Sequence, residues 1–217
     1  MGQLDSPTAR PARAVSADSL ATARALAARH FVLQDNRPGH VIDPYLVAMD
    51  PHLRGLLFTD GTVTRTLEVG ALAPVAVTVE SQRQVALGAE VGAHLDVPSG
   101  SPAIERRVKI GLESSTEPAI WAESHIVAER LPEGFLGVLD GCRDGIGESL
   151  QQVKLESWRE MLWFGIEATP VWGDGSRIGV EIALRRLYRV IANARPAMLI
   201  SECFAVERSG SAYRLAC

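Results

Sequence analysis

The sequence predicts an α+β fold in which an antiparallel β-sheet of about six strands, with flanking helices, encloses a buried ligand cavity. Three observations predict it. The hydrophobic period changes from helical to alternating near residue 62, and the alternating segments that follow are mostly sequential and joined by short turns, as antiparallel pairing requires. Two of those segments also carry a charge on their apolar face. Arg106 alternates with Ile104, Val108 and Ile110, and Glu202 with Met198, Ile200, Phe204 and Val206. An ion on such a face costs several kcal/mol unless it is paired, hydrogen-bonded or supplied with a ligand, so a cavity that binds a polar or anionic molecule is the leading explanation. A mutual ion pair between Arg106 and Glu202 is the alternative that needs no ligand.

The elements follow in order. Residues 1–15, with Pro7, Pro11 and several arginines but no periodicity, read as a disordered tail; residues 16–207 read as one domain and 208–217 as a C-terminal tail. After the N-cap types Ser16 and Asp18, the spacing of Leu20, Ala23, Ala27 and Phe31 predicts a helix over 18–33. A Gly/Pro loop spans Asn36 to His40, and Asp50-Pro51 opens a second helix through Leu57, with Asp as cap and Pro in the first turn. After the Asp60-Gly61 turn, Thr62 to Val69 alternates and reads as a strand with Arg65 inward between Val63 and Leu67. Pro74 to Val85 continues with Val75, Val77 and Val79 on one face. Residues 103–112 and 119–128 form the next pair, across a polar turn from Glu113 to Pro118. Helical pieces at 131–139 and 146–153 interrupt the strands. Leu155 to Thr169 fits either period, but Trp163, Phe164 and Ile166 favour a strand; the end is a hairpin, 183–191 and 197–206, turning at Ala192 to Pro196.

Composition narrows the function. The 217 residues are 47% hydrophobic, enough for one good core, and the formal net charge of -4 gives no global attraction to nucleic acid or anionic membrane. Cys142, Cys203 and Cys217 have no CxxC spacing, and the five histidines form no HxxxH or HExxH pair, so neither a metal site nor a thiolate nucleophile is expected. No apolar run reaches a membrane span and no apolar signal core is present, so a cytoplasmic location is expected. No GxGxxG, P-loop or GxSxG occurs. The sequence sets no oligomeric state.

In the run Arg185-Arg186-Leu187-Tyr188-Arg189-Val190, Arg186 and Tyr188 share a face with Leu184 and Val190, and Arg185 and Arg189 share the other. The run reads either as an anion site or as a solvated strand face with one or two inward arginines. Glu123 and His125 share a face with Trp121; solvent-exposed polar decoration outweighs acid–base machinery as a reading there. The cysteines read as small apolar fillers, and the four tryptophans as core.

The ordered segments Asp60-Gly61-Thr62-Val63-Thr64-Arg65, the strand with Arg106, Trp121-Ala122-Glu123-Ser124, Ile146-Gly147-Glu148, the Arg185 to Val190 run and Pro196 to Phe204 with Glu202 resemble chorismate pyruvate-lyase. The resemblance covers about residues 45–207 and is greatest to the mycobacterial branch that makes 4-hydroxybenzoate for phenolic glycolipids. It implies a six-stranded antiparallel sheet over a ligand-enclosing cavity and loss of pyruvate from chorismate, with no cofactor. By motif it puts Arg106 on the ring carboxylate, Glu202 on the ring hydroxyl, and Ile146 on the apolar cavity wall in a flap-like segment before Gly147. Where the enterobacterial enzyme has a further arginine, this chain has Ser124, so the second carboxylate falls to Arg65 or Arg186, with Tyr188 beside them. Two other readings remain. One keeps the scaffold but takes aminodeoxychorismate or isochorismate; the other is an effector-sensing domain of GntR-type regulators, for whose winged helix the first 45 residues are too short and too rich in Ala and Pro.

Overall fold

The computed structural model describes residues 17–44, 46–141, 145–209 and 212–216; the tail expected over 1–15, Cys142 and Cys217 lie outside them. Helix α1 (Ala17–His30) buries Ala27 and leads Phe31 into a ring cluster with Phe58 and Phe164, at centroid distances of 5.2 and 4.5 Å. Helix α2 (Pro51–Phe58) starts as its sequence dictates: the Asp50 carboxylate accepts from the His52 amide at 2.8 Å and Pro51 fills the first turn. Its Leu53, Leu56 and Leu57 have no solvent exposure.

Residues 62–69 are not a strand but the start of α3 (Val63–Ala71). Positions i and i+4 share a face in either geometry, so buried Val63 and Leu67 satisfy both patterns; positions i+2 and i+6 separate them. In the helix Arg65 and Val69 turn away from the core, and Val69 is 70% exposed. The β-branched composition favoured a strand locally, and packing of Val63 and Leu67 overrode it.

Strand β1 (Val75–Ala86) follows; Val75, Val77 and Val79 share one face as expected, opposite Leu112, Ile110 and Val108, and a bulge between Val79 and Ser81 then turns Val85 to the other face. A short helix that the sequence did not announce, α4 (Ala89–His94), precedes β2 (Pro102–Leu112) and β3 (Ile120–Ile126). Helices α5 (Phe135–Gly141) and α6 (Ile146–Gln152) lead to β4 (Ser157–Ala168), which settles the ambiguous segment as a strand. The chain then forms the hairpin of β5 (Ile182–Ala192) and β6 (Arg195–Ser209). The expected C-terminal tail carries β7 (Ala212–Leu215), which pairs with the end of β6.

The strand order is β1-β2-β3-β6-β5-β4, antiparallel throughout, with β7 added on β6. Two three-stranded meanders are thereby joined by one pairing, β3 with β6. On one face the sheet packs Ile104, Ile120, Ile126, Met198 and Phe204 beneath the helices in the main core. The opposite face carries two smaller apolar clusters with buried ion pairs among them. Arg107 binds Glu123 at 2.8 Å and Asp174 at 2.8 Å, and Arg185 binds Glu167 and the Ser201 hydroxyl. Glu123 is therefore buried, at 7% exposure, rather than solvent-facing decoration. Burial lowers the pKa of its neighbour His125, against the opposing fields of Glu123 and Glu105. Trp121 and Trp163 are core as expected, while Trp158 is 56% exposed. Cys203 is a buried filler whose thiol is pushed up to about 12 by burial. No described helix is long and apolar enough to cross a membrane.

Candidate active site

Register fixes which side chains meet on the helix-covered face. Arg106, Ser124, Ile200, Tyr188 and Met161 form one rung across β2, β3, β6, β5 and β4. The next rung is Val108, Ala122, Glu202, Arg186 and Phe164. Arg106 and Glu202 thus stand two strands apart on neighbouring rungs. A cavity of about 60 Å³, continuous with solvent on one side, lies over them. Its walls include both residues, Ser124, Tyr188, Ile146 and Gly147. The roof comes from the first turns of α3 and α6.

The Arg106 side chain is 4% exposed and donates to Gln82 Oε1, with Asp140 Oδ1 3.7 Å away. It does not pair with Glu202. The Glu202 carboxylate accepts from Arg186 Nε at 2.6 Å and from the Tyr188 hydroxyl at 2.9 Å. Burial, then the Glu202 charge, pushes the Tyr188 pKa well above the usual phenol range, so Tyr188 keeps its proton and donates. Each carboxylate oxygen has two lone pairs, which leaves Glu202 capacity to accept from a bound molecule.

Arg186 is wholly buried and stands behind Glu202 rather than among the cavity-lining residues. Its Nη1 donates to the carbonyls of Leu56, Leu57 and Thr59, at 2.7, 2.9 and 3.0 Å. These are carbonyls at the C-terminal end of α2, which leaves such groups without intrahelical partners and favours a cation there. Arg186 therefore holds Glu202 in place and does not line the cavity. Arg65, on α3, is also outside the cavity. Its side chain is 61% exposed, 3.5 Å from Glu148 and 3.4 Å from Gln151, in an outer groove.

Gly147 is required by close approach. A Cβ there would lie 2.9 Å from Thr62 Oγ1 and 3.0 Å from its Cγ2, so the first turn of α6 closes directly onto the N-cap of α3. Gly145, the N-cap of α6, has φ +86°, a conformation that favours glycine.

Sequence reasoning missed Arg159. It lines both the cavity and the outer groove, with its guanidinium 5.9 Å from the Tyr188 ring and Nη1 donating to the Asp60 carbonyl. Its buried Nε has no hydrogen-bond partner among the described residues. The signal was the alternation of Arg159 with Met161. A bulge at Leu162, where Met161 pairs with Tyr188 but Trp163 with Leu187, disguised it by shifting the phase within one strand. Among the described residues no three His, Cys, Asp or Glu side chains are arranged to hold a metal ion.

The fold and site define a class: an α+β domain whose antiparallel sheet and covering helices enclose a cavity, with an arginine at one side and a braced carboxylate on its floor. The model of the chorismate pyruvate-lyase Rv2949c-like family matches residues 57–209, and the chain belongs to that family. It is 27% identical to the chorismate pyruvate-lyase of Mycobacterium leprae (strain TN) over 158 residues, 72% of this chain and 75% of the relative. Identity to the chorismate pyruvate-lyase of Mycobacterium tuberculosis (strain ATCC 25618 / H37Rv) is 26% over 166 residues, 75% of this chain and 83% of the relative. Among solved structures, PhnF from Mycobacterium smegmatis matches with a TM-score of 0.53 at 9% identity, over 73% of this chain and 68% of that chain. The effector domain of PhnF matches with a TM-score of 0.50 at 8% identity, over 67% and 88%. These last two likenesses concern the fold.

Proposed function

We propose that this chain removes pyruvate from chorismate and leaves 4-hydroxybenzoate. The observation that carries the reading is that Arg106 and Glu202, both charged and both buried, line one cavity without pairing to each other. Their strands are separated by one other, about 10 Å between backbones. The two side chains reach inward from there, a span suited to a six-membered ring with its carboxylate and hydroxyl at opposite ends.

In this reading Arg106 binds the ring carboxylate, which a planar guanidinium grips with two parallel hydrogen bonds. Glu202, braced by Arg186 and Tyr188, accepts from the 4-hydroxyl and fixes the ring. Elimination then breaks the bond between ring C3 and the ether oxygen and removes the C4 proton. The C4–H electron pair completes the aromatic ring, and the departing enolpyruvate takes a proton on its methylene carbon to become pyruvate. Aromatisation supplies the driving force, so the protein's contribution is orientation and fixed charge. None of these steps calls for a metal or organic cofactor.

The test is to incubate the purified protein with chorismate in the presence of chelator, following pyruvate and the aromatic product together. Equal release of pyruvate and 4-hydroxybenzoate is expected. No turnover, loss of turnover on chelation, or an aromatic product with a different substitution pattern would sink the reading; a pure sensor would bind and release nothing.

A further inference from the structure

We propose that Arg159 takes the second carboxylate of the substrate, the one on the enolpyruvyl ether, and so distinguishes substrate from product. The identity of the ligand rests on the lyase reading above; the existence of a second anion subsite rests on the geometry of Arg159.

Chorismate carries two carboxylates, and Arg106 accounts for one. The other arginines near the cavity are committed elsewhere: Arg186 to Glu202 and three backbone carbonyls, Arg65 to Glu148 in the outer groove. Arg159 differs from both. It lines the cavity, and no carboxylate among the described residues lies within 4.0 Å of its guanidinium. Its Nη1 is tethered to the Asp60 carbonyl and its carbon centre lies against the Tyr188 ring, which fixes the plane of the group. That tether occupies one nitrogen and leaves the Nε–Nη2 edge, whose Nε is buried and has no partner among the described residues. This is the edge that binds a carboxylate with two parallel hydrogen bonds. Five buried donors among the described residues lack a partner, Arg186 Nη2 among them, and that of Arg159 is the one on a side chain that lines the cavity, where a ligand or an ordered water can meet it.

The order across the sheet agrees. Arg106 is on β2, Glu202 on β6, Tyr188 on β5 and Arg159 on β4, in that order across the sheet, with β3 between the first two. The groups of chorismate follow the same sequence: ring carboxylate at C1, hydroxyl at C4, and the enolpyruvyl carboxylate projecting beyond C3 beside that hydroxyl. Arg159 also stands with Thr62 and Gly147 in the wall shared with the outer groove, so the group it binds is on the side from which pyruvate departs.

The experiment compares Arg159→Gln and Arg159→Lys with the wild type. Each is assayed for chorismate turnover and for binding of 4-hydroxybenzoate, which lacks the second carboxylate. Arg159→Gln should lower kcat/KM for chorismate roughly 10- to 1,000-fold while the Kd of 4-hydroxybenzoate changes less than about 3-fold, and Lys should restore part of the loss. A kcat/KM within about 3-fold of wild type, or an equal fall in both quantities, overturns the proposal. If the Gln variant does not fold, two ligands decide the matter with wild type and Arg159→Lys: 3-(1-carboxyvinyloxy)benzoate, a dianion, and 3-methoxybenzoate. Wild type should prefer the dianion by at least about 10-fold and the Lys variant by less; no preference in wild type overturns the proposal. Failure of wild type to release pyruvate from chorismate refutes the lyase reading instead, and the ligand pair still measures whether Arg159 binds a second carboxylate.

Discussion

Arg186 lets Glu202 sit on the cavity floor before any ligand arrives. Its Nε supplies the counter-charge, Tyr188 supplies a neutral donor, and the carbonyls at the end of α2 hold Nη1. The two partners are therefore energetically inseparable. Arg186→Met leaves a buried carboxylate without its cation and should cost about 3–5 kcal/mol; Glu202→Gln keeps the hydrogen-bonding shape and should cost less, about 1–3 kcal/mol, while turnover falls roughly 10- to 1,000-fold. Urea melts of both single variants and the double variant check this. The double should be well short of the sum, because no ion is left stranded, and additivity within about 0.5 kcal/mol would mean that the pair is not coupled. Much of this was legible from alternation alone: Arg106, Arg186 and Glu202 each interrupt an apolar face. What alternation does not give is register. Only the pairing of Arg186 with Glu202 across β5 and β6 reveals that Arg186, and not Arg106, braces the acid.

The roof of the cavity depends on how α3 meets α6, and here local sequence misleads. Val63 and Leu67 serve a strand and a helix equally, so Arg65 was expected inside and is found outside, tied to α6 through Glu148 and Gln151. By contrast the helical piece expected over 146–153 is found as α6. The contact between Gly147 and Thr62 then joins the two elements. Gly147→Ala should push α6 away from α3, raising KM for chorismate several-fold and lowering stability by about 1–3 kcal/mol despite the better helix propensity of Ala. Thr62→Ala removes both clashing atoms, so the double variant should recover most of the loss. Steady-state kinetics and thermal melts on the three proteins decide it: no recovery in the double variant would show that the glycine is needed for another reason.

Across the whole molecule the sheet order was only partly legible. Consecutive strands with short turns announce two meanders, β1-β2-β3 and β4-β5-β6, but nothing local tells β3 that its neighbour is β6 rather than β4. That choice is made by the shared core and by the ion pairs on the opposite face, where Arg107 and Glu123 of the first meander face Asp174 in the approach to β5. The seam between β3 and β6 also runs under the cavity. Arg106 and Ser124 belong to one meander, and Glu202, Tyr188 and Arg159 to the other. A bound molecule that grips both sides is thus a fastener across the most non-local joint in the chain. Such a joint closes late in folding, after the loop entropy between the halves has been overcome, so its energy is felt on the way out rather than on the way in. Saturating 4-hydroxybenzoate should accordingly slow unfolding in proportion to its occupancy while leaving the refolding limb of a stopped-flow chevron nearly unchanged. A ligand-accelerated refolding rate would place the seam in the folding nucleus. On the expected outcome, the chain's lifetime against unfolding is set by the supply of its own ligand.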